Sequence, residues 1–170
     1  VCSSDLAQPG KQGEVEDFKV EFTPEDMNVT IKEVIKETKK AVDITDAKVL
    51  VSGGRGIGSA DFYKELQKVA DLLGGEISSS RANVDAGWIA KDRQVGQTGK
   101  TVRPDLYLAC GISGAIQHIA GMENSECVIS INKNDTAAIF DVSDLGIVGD
   151  VKVIIPKLID ALTKYKAAQN

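Results

Sequence analysis

Four stretches of the chain are rich in glycine or small polar residues in a way that suits holding a ligand rather than breaking bonds. Gly53-Gly-Arg-Gly-Ile-Gly58 sets four glycines around Arg55. Glycine lets main-chain N–H groups approach a phosphate, and a helix start behind it adds a favourable dipole. The dinucleotide spacing G-x-G-x-x-G is missed, since counting from Gly54 the third glycine position holds Ser59. This stretch is either a cofactor loop or a tight strand-to-helix turn. Ser79-Ser80-Arg81 stands where an NAD site places a carboxylate for the ribose hydroxyls. Arg81 suits a 2′-phosphate instead, which weakens NAD and keeps NADP open.

The third stretch, Gln94-Val-Gly-Gln-Thr-Gly-Lys100, offers amide donors and acceptors through Gln94, Val95, Gly96, Gln97 and Thr98. It matches the edge of a heterocycle or a diphosphate, or else forms a polar surface turn. In the fourth, Gly111-Ile-Ser-Gly-Ala-Ile-Gln-His118, Ser113 suits a helix N-cap, with Gly114 and Ala115 opening the helix as an anion site. His118 is the single histidine, and a lone histidine is either a satisfied structural residue or a ligand contact. Asn132 and Asp150 each cap a turn or line the same crevice. No serine–histidine–acid or cysteine–histidine pairing follows from spacing. Cys2, Cys110 and Cys127 have no metal spacing and read as reduced thiols, Cys110 and Cys127 within apolar strands. Trp88 reads as a buried or interface aromatic.

These loops need a scaffold. At 170 residues, 42% hydrophobic and 26% charged, the chain has the composition of one soluble domain with or without part of a neighbour. A net charge of −5 argues against a nucleic-acid or anionic-membrane footprint. No apolar stretch reaches the roughly 20 residues of a membrane span. The start at Val1 leads us to expect a fragment or processed product, and residues 1–6 form no recognisable element or signal peptide.

Apolar alternation at Phe18, Val20 and Phe22 predicts a half-buried strand, the remnant of a preceding domain over residues 7–28. Thr30 and Glu33 fit a capping box, opening a connecting helix within residues 29–47 whose inward face carries Ile31, Val34, Ile35, Thr38 and Val42. Strands are expected at Lys48–Ser52, Glu76–Ser79, Asp105–Cys110 and Cys127–Asn132, with a fifth at Ala138–Val142. Helices are expected at Phe62–Leu73, within Gly111–Gly121, and from about Asp150 to Tyr165, where Pro156 falls near the first turns. The alternation predicts an α/β fold, a Rossmann-like parallel sheet with helices on both faces in three layers, spanning residues 48–166. Such sheets bind ligands at the carboxyl ends of their strands.

Taken together, Ser52-Gly-Gly-Arg-Gly56, Ser80-Arg-Ala-Asn-Val-Asp-Ala-Gly87, the two stretches at 94–100 and 111–118, Ile131-Asn-Lys133 and Asp144-Leu-Gly-Ile-Val-Gly-Asp150 resemble the electron-transfer flavoprotein alpha subunit, in order and with matching spacing from about Lys48 to Leu162. The resemblance implies FAD bound in the carboxyl-terminal domain. It also implies a beta subunit as partner, electrons taken from flavin dehydrogenases such as acyl-CoA dehydrogenases in fatty acid beta-oxidation, and a quinone oxidoreductase or other acceptor. By the same resemblance, Arg55 and Ser80 line the flavin pocket, Arg81 lies beside the isoalloxazine, and Gln94, Val95, Gly96, Gln97 and Thr98 follow the ring edge. Ser113, Gly114, Ala115, Ile116, Gln117 and His118 cover the diphosphate and reach the pyrimidine end, while Asn132, Asp150 and Val151 hold the adenosine side. His118 then becomes a functional residue. The expectation is a cytoplasmic electron carrier without an organic substrate of its own. An NADP-dependent dehydrogenase domain and a non-redox adenine-nucleotide module are the alternatives.

Overall fold

A computed structural model describes residues 16–20 and 42–169. Residues 1–39 and residues 40–170 form two separate compact units. In the first, residues 16–20 have no regular structure, and Phe18 is 89% exposed. The strand expected at Phe18–Phe22 is not formed in that stretch, where no described residue supplies the neighbour a strand must pair with. The rest of that segment, and the helix expected from Thr30, lie outside the described residues.

The second unit opens with a turn over Asp43–Asp46, closed by the Asp46 N–H on the Asp43 carbonyl at 3.1 Å, where the connecting helix was expected to end. Ile44 is fully buried in the core, so the packed unit already includes this turn. Five strands follow: β1 Val49–Gly53, β2 Glu76–Ser79, β3 Leu106–Cys110, β4 Val128–Asn132 and β5 Leu145–Val148. All neighbours run parallel in the order β2-β1-β3-β4-β5. The central strands β1 and β3 are apolar and buried on both faces, as a parallel sheet covered on two sides requires.

Helix α1, Tyr63–Leu73, turns Tyr63, Leu66, Val69 and Ala70 inward at helical spacing. It packs beside α4, Val151–Gln169, whose Val151 and Ile155 join the same cluster with Val51, Leu108 and Ile131. The opposite face is covered by the short helix α3, Ile116–Ile119, and by irregular chain carrying Val95, Val102, Met122 and Ile139 against Leu50 and Tyr107. A short helix α2, Arg81–Asp85, follows β2. The result is a three-layer Rossmann-like fold.

Two expectations need correcting. Ala138–Val142 is a turn of 3₁₀ helix, and the fifth strand is Leu145–Val148. The first segment buries only Ile139 and so lacks the two-residue alternation of a strand. Helix α4 also runs on to Gln169, beyond Tyr165, and Pro156 is its sixth residue. That position is past the N-terminal donors left free anyway, so Pro156 costs one internal hydrogen bond, to the Lys152 carbonyl.

Candidate functional site

With β2 on one side of β1 and β3 on the other, the chain reverses direction across the sheet between β1 and β3, and a crevice opens at such a point. A cleft of about 560 Å³ lies there, lined by the loops that leave β1, β2, β3 and β4 and by the 94–98 loop. Its size falls within the roughly 300–1,000 Å³ of small-molecule sites. Of the residues singled out in the sequence, Arg55, Ser80, Arg81, Gln94, Val95, Gly96, Thr98, Ser113, Ala115, Gln117, His118 and Asn132 line it.

The glycine loop after β1 builds the floor by close approach. The Gly54 N–H donates to the Cys110 carbonyl and the Gly56 N–H to the Gly111 carbonyl, each at 2.9 Å. A Cβ on Gly54 would stand 2.4 Å from the Gly111 oxygen, and one on Gly111 would stand 2.8 Å from Gly56 Cα. Gly111 also has a φ of +65°, which side chains disfavour. The loop is therefore a tight turn that stitches β1 to β3. Its Gly54 and Gly56 donors are already spent on the protein, which favours the tight-turn reading over a phosphate cradle. Arg55, between them, is exposed at the cleft.

At the end of β2 a buried polar network fixes the start of α2. The Tyr63 hydroxyl lies 2.6 Å from the Ser79 hydroxyl, and Asn83 Nδ2 donates to Tyr63 Oη at 2.8 Å and to the Gly53 carbonyl at 3.1 Å. Burial pushes the Tyr63 pKa up, so it remains a phenol. The half-buried Trp88 is tied in through its main-chain N–H, 2.9 Å from the Asn83 carbonyl. Ser80 and Arg81 are thus held at the cleft mouth. Arg81 keeps an exposed side chain whose one ion pair among the described residues is with Asp85, Nε to Oδ2 at 3.2 Å.

The 94–100 loop folds on itself and on α3. Gln94 Nε2 donates to Thr98 Oγ1 at 2.9 Å, the Lys100 N–H reaches the Gln94 carbonyl at 2.8 Å, and the Gln97 N–H reaches the Gln117 carbonyl at 2.7 Å. Lys100 pairs with Asp43 at 2.7 Å, and that hydrogen bond holds the Asp43 pKa down to about 2. The Gln97 side chain is exposed and does not line the cleft.

The segment after β3 differs from the expectation. Helix α3 starts at Ile116 with Ala115 as its cap residue, and Ser113 makes no side-chain cap bond. Gly114 forces this, because its φ is +85° and a Cβ would stand 2.2 Å from the Ile139 nitrogen. The consequence is a run of main-chain N–H groups, Ser113 to Gln117, that donate to no acceptor among the described residues. They border the cleft beside Ser113, Ala115 and Gln117. The Ile116 side chain is 80% exposed and faces away from it.

His118 forms part of the cleft wall yet is 93% buried, with Nε2 3.0 Å from the Tyr107 hydroxyl and no hydrogen-bond partner at Nδ1. Desolvation pulls its pKa from 6.5 to about 4, with the Val95 backbone opposing, so the ring is neutral at pH 7. The nearby Cys110 thiol is core, its pKa pushed up to about 12 by burial.

At the far end, Asn132 bridges loops, Nδ2 to the Ile112 carbonyl at 2.8 Å and Oδ1 to the Asn134 N–H at 2.9 Å. Asp150 pairs with Lys133 at 2.9 Å and accepts from the Lys152 N–H at 2.9 Å at the start of α4. The Lys133 contact lowers its pKa. Val151 points into the core, leaving only its main chain for a ligand. Gly114 shapes the loop rather than lining the cleft. The lining also includes Gly56, Ala82, Gly111 and Ile112, which reading residue types did not single out. Gly56 and Gly111 each follow a strand in the quoted motifs, and that position was the available signal. Ala82 and Ile112 carry no such mark. Among the described residues no group of histidine, cysteine, aspartate or glutamate could hold a metal, and no helix is long and apolar enough to cross a membrane.

Residues 43–123 match the family model of the electron transfer flavoprotein FAD-binding domain. The alpha subunit of electron transfer flavoprotein from Thermoanaerobacterium thermosaccharolyticum is 52% identical over 156 residues, 92% of this chain and 47% of that protein. The acryloyl-CoA reductase electron transfer subunit beta of Anaerotignum propionicum is 50% identical over 153 residues, 88% of this chain and 41% of that one. The mitochondrial alpha subunit of Dictyostelium discoideum is 50% identical over 138 residues, 80% and 39% of the two chains. The chain spans about half the length or less of these relatives.

Proposed function

The chain carries an electron transfer flavoprotein FAD-binding domain over residues 43–123, and on that premise we propose that it holds FAD in the cleft between β1 and β3 as the cofactor-bearing part of an alpha-type electron-carrier subunit. The observation that carries the reading is the convergence of five separate chain segments on one cleft. The residues present fit such a cofactor. The unspent N–H groups of Ser113–Gln117 suit a diphosphate. The buried, partnerless Nδ1 of His118 and the bonded Gln94–Thr98 pair offer polar atoms to a ring edge.

When bound, FAD supplies an electron-accepting ring whose reduction places negative charge at its pyrimidine end. In this reading Arg81 provides positive charge beside the ring, and it leaves Asp85 at little cost because exposed ion pairs are worth only about 0–1 kcal/mol. Thr98 presents its hydroxyl to a ring nitrogen, and Gln94 orients that hydroxyl by donating to it. Ser80 and Arg55 close the mouth. Asn132 and the main chain at Asp150 and Val151 receive the adenosine. Gln97 and Ile116, whose side chains point away, contribute through their main chain.

The proposal extends to a heterodimer with a beta subunit in the cytoplasm. Its electrons would come from flavin dehydrogenases such as those of acyl-CoA beta-oxidation and pass to a separate acceptor, with no organic substrate bound. Support comes from relatives named as subunits of electron carriers. The test is the visible spectrum of the purified chain with FAD, without and with an electron transfer flavoprotein beta subunit. The expected result is the structured band of a bound flavin. No uptake with the beta subunit present, or binding of NADP or AMP where FAD does not bind, overturns it.

A further inference from the structure

Tyr107 lies on β3, fully buried beneath the cleft, and its ring meets that of His118 tilted at 57° with 6.1 Å between centroids. Its hydroxyl is 3.0 Å from His118 Nε2. Ser52 and Ser78, register partners on β1 and β2, are buried, and neither hydroxyl closes a hydrogen bond of its own.

The direction of these bonds follows from the donor count. Burial holds the Tyr107 pKa well above its usual value, so the phenol keeps its proton and needs an acceptor. Among the described residues the one hydrogen-bond partner of the Tyr107 hydroxyl is His118 Nε2, at 3.0 Å, and an imidazole nitrogen that accepts a proton carries none of its own. Tyr107 therefore donates to Nε2, which leaves the histidine proton on Nδ1.

We infer that Tyr107 is a positioning residue, fixing His118 in the cleft wall as the neutral Nδ1–H tautomer in one ring orientation. Its consequence for a cofactor rests on the flavin reading above. With a flavin bound, negative charge in the cleft would be met by a proton from solvent at Nε2, from which the Tyr107 hydroxyl would accept. The heavy atoms stay where they are.

Because the chain has one histidine, ring ¹⁵N spectra of the flavin-free chain at neutral pH read this residue alone. The expected result is a protonated Nδ1 and a bare Nε2. In Tyr107→Phe the tautomer should shift toward Nε2–H, with amide resonances away from the cleft unchanged. A protonated Nε2 in the unaltered chain, or an unchanged tautomer in Tyr107→Phe, overturns the inference. Should Tyr107→Phe fail to fold, Ser52→Ala decides. The inference expects the Nδ1–H tautomer to persist there, because Tyr107 keeps His118 Nε2 as its acceptor. Loss of that tautomer would mean that Ser52, and not the Tyr107 hydroxyl, sets the proton on the ring, and overturns the inference. Flavin uptake is followed separately by absorbance: no uptake removes the flavin reading and leaves the tautomer result standing, while uptake with the wrong tautomer removes only this inference.

Discussion

Arg81 and Gly114 show how differently single residues serve the same cleft. Arg81 is exposed and lightly held by Asp85, so the role proposed for it is electrostatic and its removal should not disturb the fold. In the flavin-loaded complex, Arg81→Ala is expected to lower the reduction potential by tens of millivolts, about 30 mV for each 1.4 kcal/mol in a two-electron couple. Potentiometric titration measures this, and an unchanged potential would remove Arg81 from that role. Gly114 is structural in the strict sense, with a left-handed backbone and no room for a Cβ beside Ile139. Gly114→Ala should cost at least about 1–3 kcal/mol from backbone strain alone, read as a lower urea midpoint. The sequence made both residues visible as loop members, but it could not separate them. Charge is a property of residue type, whereas the space around a glycine is set by a segment some 25 residues away.

Among elements, the corner of β1, β2, α1 and α2 is pinned by one phenol. Tyr63 belongs to the apolar face of α1 by spacing, and its hydroxyl nevertheless joins Ser79 and Asn83 at 2.6 and 2.8 Å. Tyr63→Phe keeps the packing and takes one hydrogen bond from each of those partners, so it should cost about 0.5–1.5 kcal/mol. Amide exchange at residues 80–83 should rise more than exchange in β3 and β4; uniform acceleration would mean that the network does not hold the corner. Strands β1 to β4 and helices α1 and α4 were legible because burial on both sheet faces, or on one helix face, stamps a run or a period on the chain. The last strand was not. Leu145 and Val148 are exposed and Gly146 interrupts the run, while Ala138–Val142 looks apolar enough to compete. Helix α3 began late because the Gly114 backbone, invisible in residue type, displaced the cap from Ser113 to Ala115. The Tyr107–His118 pair was equally hidden, since nothing in an eleven-residue spacing says that strand and helix fold back to touch.

For the domain as a whole, acid should act in two stages. His118 has a folded pKa near 4 against 6.5 for the free side chain. The unfolded chain therefore binds a proton that the native chain refuses. Its contribution is intact above pH 6.5 and is lost as pH falls toward 4, amounting to about 3 kcal/mol. Asp43 is depressed in the opposite sense, to about 2 through Lys100, so its support is present above about 3.8 and fades only below that. Urea midpoints measured between pH 7 and pH 3 should show the upper stage first, and His118→Gln should abolish that stage while leaving the lower one. A single stage below pH 4 in the unaltered chain would contradict the buried neutral histidine.

The tie between Trp88 and Asn83 has an optical consequence. The chain has one tryptophan, and its main-chain N–H is bonded to the residue that pins α2 to β1. Its emission is therefore a local gauge of the cleft corner, reported without any label. Wavelength and quenching should respond when Arg81 and its helix tighten around a ligand, and should stay still for events confined to the far end of α4.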